Sequence, residues 1–476
     1  MNEPFSFHPI DWAILIAFAV LQVFIGVRLT TRPGRGEQQR QEDFLLDGRR
    51  LTMPVFVASL VSTWYGGILG VGEYTYKHGI SNWLVFGVPY YVWAAVFALA
   101  FAAKARRSRF VSISDHLYDR YGRAAGLVGT AFVFVMTVPA VYVLMLGVMF
   151  RLFFGWPLWA GVTLGALLAV AHVYLGGFRS VVRTDVLQFV LMFGGFAVIL
   201  PFALFQHGGW EFLTANLPAT HFTWHGGKSL QYVLVWYIIA TTTLIEPAFY
   251  ERCYAAKNER VARRGILISI FFWCLFDFMT TSAGLYARAI LPQLKDPVAA
   301  FPVLGAAVLP PAILGLFLVG LFATVISTVD SYAFLSAIAL GRDMIWRNLK
   351  VDASHNDVPW IRFGLWVSAA LAIGLAMLSQ SAVDLWHDLG TIGCPALVVP
   401  MLATFSDRWR LPPRWATISM VVSGGTSLVW LLWGRLSAEG YPLGLEPIIP
   451  GLILSLAFFL LWRERMPHAI SQPMDG

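Results

Sequence analysis

Thirteen apolar runs, each nineteen residues or longer and separated by clusters of charge, leave this chain little choice of environment. They fall at 9–28, 52–76, 82–104, 124–153, 157–175, 184–206, 229–250, 262–290, 303–341, 360–380, 382–404, 413–434 and 443–462. A helix of about 20 apolar residues crosses a hydrocarbon core of about 30 Å. In lipid, only helices and closed barrels satisfy every backbone N–H and C=O, and runs of this length fit helices. With 58% hydrophobic residues, 13% charged and a mean hydropathy of +0.66, a soluble globule is excluded. The expected fold is an all-α integral membrane protein of about 13 transmembrane helices.

The basic residues test this division. Of 34 Lys and Arg, the alternate loops 28–50, 104–123, 179–183, 252–264, 342–362, 408–414 and 463–465 hold 28. The opposite side holds Lys77, Arg151, Lys228, Arg288, Lys295 and Arg435. Cytoplasmic loops carry the excess, so the expected topology is amino terminus outside and carboxyl terminus inside, multi-pass in the cell (inner) membrane. The net charge of +7 then reflects topology rather than nucleic-acid binding. Met1–Ile10 lacks a basic region, so no cleavable signal is expected before the first run. Cys253 is expected in a cytoplasmic loop and Cys274 and Cys394 within spans, with no disulfide. The loop 207–228 carries His221 and His225 at HxxxH spacing, a metal-ligand spacing that an ordinary polar loop also explains.

The run 303–341 carries Ser327, Thr328, Asp330 and Ser331 at its middle. A carboxylate at the centre of a membrane helix costs about 2.5–3.5 kcal/mol on insertion scales, so such a residue by default marks an ion or solute path. Thr324, Ser327, Thr328 and Ser331 share one helical face. Hydroxyls bonded back to the preceding turn are the alternative for Ser327 and Thr328.

Two runs contain matching interruptions: Ser62-Thr63-Trp64-Tyr65-Gly66-Gly67 in the second, and Thr241-Thr242-Thr243-Leu244-Ile245-Glu246-Pro247 in the seventh. If runs two to eleven form two five-helix units, the odd count makes the second unit enter from the opposite side, an inverted repeat whose first helix is discontinuous in each half. Gly-Gly eases unwinding, and Pro247 removes a backbone donor. Unwound backbone offers carbonyls to a cation at membrane depth. Close packing at the glycines and a simple kink at Pro247 are the alternatives.

Four segments resemble the sodium:solute symporter family, which shares the inverted five-helix-repeat fold of the leucine transporter. They are Asp43-Phe44-Leu45-Leu46-Asp47-Gly48-Arg49, the stretch from Gly176 to Gln188, the stretch from Ala248 to Lys257, and Ile326-Ser327-Thr328-Val329-Asp330-Ser331. The resemblance covers about residues 40–410. It implies one transporter domain over 1–476, with 9–28 and 413–462 peripheral and the two repeats contained in 52–290 and 229–404, split near 207–228. It also implies sodium as coupling ion, no organic cofactor, and symport of a small organic solute by alternating access.

Carried over, the main sodium site comprises the side-chain oxygens of Ser327 and Thr328 and the carbonyls of Thr324, Ser62 and Tyr65. Neutral oxygens suit a hard cation that must leave again each cycle. Asp185, Asp330 and Ser331, with Ser327, form either a second sodium site or, through a pair with an Arg such as Arg183, an exit gate; proton coupling is the third reading. For the solute, Trp64, Gly66, Gly67 and Glu246 are the candidates beside the breaks. An indole covers a cationic group and a buried carboxylate pairs one. The alternatives are interhelical packing for Trp64 and a bond to the unwound backbone for Glu246. Leu69 stands where a sugar-transporting member is expected to be polar, and the Trp-Tyr-Gly-Gly run is similar to the choline-transporting branch. A cationic or zwitterionic solute is the leading expectation. Asp384, His387 and Asp388 share a face at the outer end of the eleventh run, as an outer vestibule or as an ordinary wet helix end.

Enzyme chemistry is not expected: HExxH, GxSxG and CxxC are absent, and the glycines from Gly66 to Gly72 lack the Lys of a phosphate loop. The partners expected are a small solute, sodium and the bilayer, without nucleic acid or an obligatory protein. A channel would not need the paired breaks. A transporter-like solute sensor remains open, although the short tail after Arg465 leaves little room for an output domain.

Overall fold

The computed structural model describes residues 7–30, 37–349, 356–378, 381–437 and 440–465. The last two residues of the run 360–380, and the tail beyond Arg465, lie outside them.

Helix is nearly the whole architecture. In chain order the α-helices are α1 (Pro9–Thr30), α2 (Glu37–Leu46), α3 (Met53–Trp64), α4 (Ile68–His78), α5 (Val88–Ala100), α6 (Ala102–Ser108), α7 (Ser114–Thr137), α8 (Ala140–Phe154), α9 (Leu158–His207) and α10 (Trp210–Asn216). They continue as α11 (Leu230–Ile239), α12 (Pro247–Ala255), α13 (Glu259–Ile290), α14 (Ala300–Val308), α15 (Ile313–Ala337), α16 (Val358–Leu378), α17 (Ala382–Thr404), α18 (Pro413–Leu436) and α19 (Ile448–Trp462). One two-residue antiparallel pair, Trp409–Arg410 with Glu464–Arg465, is the sheet described. Among the described residues nine helical segments are long and apolar enough to cross a membrane, or ten counting the bent pair α3–α4. The α1, α14 and α19 segments are shorter apolar helices by the same measure.

Proline and glycine account for most departures from the expected runs. The run 124–153 is split between α7 and α8 at Val138–Pro139, because Pro139 lacks the N–H that would continue the ladder. The run 303–341 is not one helix: Pro310-Pro311 separates α14 from α15, and Ala312 stands at φ +70°. The runs 157–175 and 184–206 merge into the 50 residues of α9, interrupted where Gly177 takes φ +56°. At about 1.5 Å per residue such a length exceeds two hydrocarbon thicknesses. Here glycine is required twice over, since a Cβ would also lie 2.5 Å from the Phe44 carbonyl oxygen.

That contact belongs to a clasp at the interruption of α9. Arg179 stands 3.5 Å from Asp43 and 3.6 Å from Asp47, Arg183 stands 3.2 Å from Asp47, and Arg50 stands 2.7 Å from Asp43. Arg179 and Arg183 therefore lie in a helix rather than a loop. Arg183 serves Asp47 and not Asp185 or Asp330, which removes it as the gate partner. Cys253 also leaves its expected loop: it is buried within α12, and all three cysteines are free.

At the centre, α15 packs most extensively against α9, and its middle turns are buried almost completely. The broken pair α3–α4 and the segment α11–α12 lie against this axis and bring their interruptions to it.

Candidate functional site: the broken helices and the hydroxyl face of α15

The first break lies between Trp64 and Ile68, where α3 and α4 diverge by 58°. A Cβ on Gly66 would lie 2.5 Å from Cβ of Thr328, so this glycine lets α15 approach the break. The second break runs through a 3-10 turn, Ala240–Ile245, to Glu246, which is extended (φ −69°, ψ 111°) and opens α12. Pro247 occupies the first position of that helix, where its missing N–H costs nothing.

Four hydroxyls on or near this face divide into two kinds. Ser62 Oγ donates back to the Ala58 carbonyl at 2.9 Å, and Thr324 Oγ1 to the Gly320 carbonyl at 2.7 Å. Those are the ordinary backward bonds of a helix. Thr328 Oγ1 instead donates across to the Thr63 carbonyl at 2.8 Å, with the Thr324 carbonyl at 3.4 Å. Ser327 Oγ lies 2.6 Å from Asp185 Oδ1 and 3.0 Å from Ser62 Oγ. A Ser327 hydroxyl that gives its proton to Asp185 turns its lone pairs elsewhere, as a cation ligand needs. The Tyr65 carbonyl accepts from Ile68 N at 3.0 Å in the turn, while its phenol donates to the Trp273 carbonyl at 2.9 Å. Ser327 thus meets Ser62, and Thr328 meets Thr63 and the Thr324 carbonyl; these residues and Tyr65 are all buried.

The second group does not hold together as expected. Asp330 turns toward His172, with Oδ2 2.6 Å from Nδ1. Residues one apart on a helix are about 100° apart around it, so Asp330 and Ser331 face different neighbours. Asp185 accepts from Ser59 Oγ at 2.6 Å as well as from Ser327. Ser331 and Thr63 are joined at 3.0 Å.

Beside the breaks lies a cavity of about 60 Å³. Trp64 and Glu246 line it, but Gly66 and Gly67 do not: Gly66 serves the approach of Thr328, and Gly67 sits 3.7 Å, measured from a built Cβ, from Trp386. Trp64 also packs on Tyr90, Phe249 and Trp273 at 5.3–5.5 Å between ring centres, so packing and lining coexist. Glu246 accepts from the Tyr332 phenol at 3.0 Å and from Ala248 N at 3.4 Å. Sequence reasoning missed Tyr332, Tyr142 and Trp236 in this wall. Tyr332 follows the Ser331 stripe directly and was there to be found; nothing local marks the other two.

Of the vestibule residues, His387 lines the cavity, Asp384 is exposed outside it, and Asp388 is bound to Arg435. His387 stands 3.3 Å from Glu446 and 3.6 Å from Asp388, a paired cluster. In the 207–228 loop, His221 bonds the Tyr76 carbonyl and His225 accepts from Gly227 N. Among the described residues no group of three metal-binding side chains is present.

An interrupted helix packed against an unbroken hydroxyl-bearing helix, with an aromatic cavity alongside, is the arrangement of the broken-helix class of secondary transporters. The family model for the sodium:solute symporter family matches residues 44–410, and the chain belongs to that family of transporters. The sodium/pantothenate symporter of Escherichia coli is 24% identical over 466 residues, covering 94% of this chain and 95% of that protein. The human sodium-coupled monocarboxylate transporter 1 is 24% identical over 470 residues, covering 91% and 74%. The human high affinity choline transporter 1 is 24% identical over 406 residues, covering 80% and 70%. In structure the chain is similar to a Na+-coupled sialic acid symporter in a substrate-bound outward-open state, with TM-score 0.77 and 16% identity over 96% of this chain and 98% of the other. That likeness shows the shared fold.

Proposed function

We propose that the protein couples inward sodium movement to uptake of a small organic solute by alternating access. The observation that carries this is that Ser327 and Thr328 direct their hydroxyls out of α15 to Asp185 and to the broken helix, while Ser62 and Thr324 bond backward. The sodium ligands in this reading are those two hydroxyls with the carbonyls of Thr324, Ser62 and Tyr65. Reorientation of the break would release the Tyr65 carbonyl from Ile68 N. The chain then has thirteen spans, α9 supplying two, with its repeats in inverted orientation, the amino terminus outside and the carboxyl terminus in the cytoplasm.

For the solute, the cavity supports a cationic or zwitterionic molecule. Its wall combines aromatic faces, among them Trp64, Tyr142 and Trp386, with the carboxyl group of Glu246. Aromatic faces attract a cation, and the carboxylate pairs it. Relatives named for choline, pantothenate and monocarboxylates differ in solute charge, so the cavity is the better guide. Proton coupling is the second reading, favoured by the His172–Asp330 pair, whose aspartate lies on the same helix as the sodium hydroxyls.

A thermal-shift screen of amino acids, quaternary amines, vitamins and carboxylates, with and without sodium, tests both parts together. The expected hit is a positively charged or zwitterionic solute that stabilises the protein only with sodium. Stabilisation that follows pH and ignores sodium supports the proton reading instead. Counterflow of the labelled hit in proteoliposomes separates a carrier from a channel.

A further inference from the structure

The side chain of Arg252 is wholly buried, and it sits between the two broken segments and α9 rather than in the cytoplasmic loop where its charge was counted. Its Nη2 donates to Ser331 Oγ at 2.7 Å and to Thr63 Oγ1 at 2.9 Å, and its Nε to Ser59 Oγ at 3.2 Å. The same Nη2 lies 3.6 Å from Asp185 Oδ2. A single guanidinium therefore engages α3 through Ser59 and Thr63, α9 through Asp185, and α15 through Ser331.

Those last two residues are the ones that, from the sequence, were to hold a second sodium ion or, paired with an arginine, to gate the exit. The third, Asp330, is turned to His172. What remains of that group, Asp185 and Ser331, is already arranged with Ser59 and Thr63 around a positive charge. We infer that Arg252 is a built-in second cation: its guanidinium stands where a second ion would bind at Asp185 and Ser331, so that one sodium ion is coupled per transport cycle. This rests on the sodium reading of Ser327 and Thr328 above.

The chemistry favours a permanent occupant. Arginine stays protonated in proteins, so its charge does not leave the site as an ion would, and its fixed fork of donors matches several oxygens at once. Removing it would strand a buried carboxylate, the situation in which a small cation is recruited. The neighbouring Glu251, 3.4 Å from Nη1, does not restore an ion site at Ser331, since it lines a separate small cavity with Ser112 and Asp343.

Equilibrium binding of radioactive sodium to the purified full chain, with no solute added, tests this. The wild type is expected to bind one sodium ion per chain, and Thr328→Ala to bind that ion about tenfold more weakly. Arg252→Gln is expected to bind two, the new ion disappearing again in Arg252→Gln with Asp185→Asn. Two ions in the wild type, one of them lost in Ser331→Ala, overturn the inference and leave the main site intact. One ion in the wild type whose affinity is unchanged in Thr328→Ala but that is lost in Asp185→Asn also overturns it, because the ion then occupies the Arg252 position. Absence of saturable binding in the wild type sinks the sodium reading itself and takes the inference with it. If Arg252→Gln does not fold, the wild-type count with the Thr328→Ala and Ser331→Ala variants decides alone.

Discussion

Hydroxyls that meet between α3 and α15 behave differently, and the difference is measurable. Ser327 and Thr328 reach Asp185 and the Thr63 carbonyl, whereas Ser62 bonds within its own helix and would offer the ion only its carbonyl. Ser327→Ala or Thr328→Ala is expected to raise the sodium concentration for half-maximal binding about tenfold, the equivalent of about 1.4 kcal/mol. Ser62→Ala is expected to change it less than about twofold. Equal effects from all three would contradict the assignment. The stripe itself was legible, because helical periodicity places i, i+3, i+4 and i+7 on one face. The destination of Asp330 was not, because it depends on which helix stands beside it.

His221 gives a pH dependence at the same scale. Its Nε2 bonds the Tyr76 carbonyl at 3.0 Å, and its Nδ1 is buried without a partner. Burial pushes its pKa below the ordinary value of 6.5. A group whose folded pKa is depressed in this way is neutral in the fold, and protonation below about pH 6.5 favours the unfolded form. Hydrogen exchange of residues 217–223 is therefore expected to accelerate as pH falls from 7.5 to 5, after correction for intrinsic rates, and His221→Gln is expected to flatten that dependence.

At the scale of elements, breaks were legible where glycine or proline marked two runs at matching places, and not elsewhere. Gly66-Gly67 and Pro247 stood at corresponding places and were recognised together. Pro139 and Pro310-Pro311 lay inside runs apolar enough to look continuous, and hydropathy does not register a missing N–H. Gly177 is the sharpest case. Its φ of +56° and a Cβ position 2.5 Å from the Phe44 carbonyl oxygen forbid a side chain, while a Cβ on Gly194 in the same helix would meet nothing within 4 Å. Gly177→Ala is expected to lower the thermal midpoint of the purified protein by several degrees, and Gly194→Ala to leave it unchanged or raise it slightly. Equal shifts would remove the special role given to this turn.

For the whole molecule, the number of coupled ions sets a ceiling. One sodium ion crossing about 100 mV gains about 2.3 kcal/mol, and a tenfold gradient adds about 1.4, enough for roughly 500-fold accumulation of a neutral solute. A second ion would square that figure. Accumulation of the identified solute in proteoliposomes under those conditions, corrected for the solute's own charge, is expected to saturate near or below the single-ion limit. A value far above it would require another coupled ion.

The sequence alone determined the membrane environment, the helical class, the placement of hydroxyls along one face and the positions of the paired breaks. Each follows from local chemistry: apolar length, the 3.6-residue period, and backbone limits at Gly and Pro. Tertiary structure decided which buried charges meet. Arg252 reads as one more basic loop residue, and Asp185, Asp330 and Ser331 as one cluster, until packing brings Arg252 to Asp185 and Ser331 and sends Asp330 to His172. A charge in a low-dielectric interior is governed by its nearest partners. Those partners come from segments 67 to 158 residues apart in the chain, a distance across which local pattern carries no information.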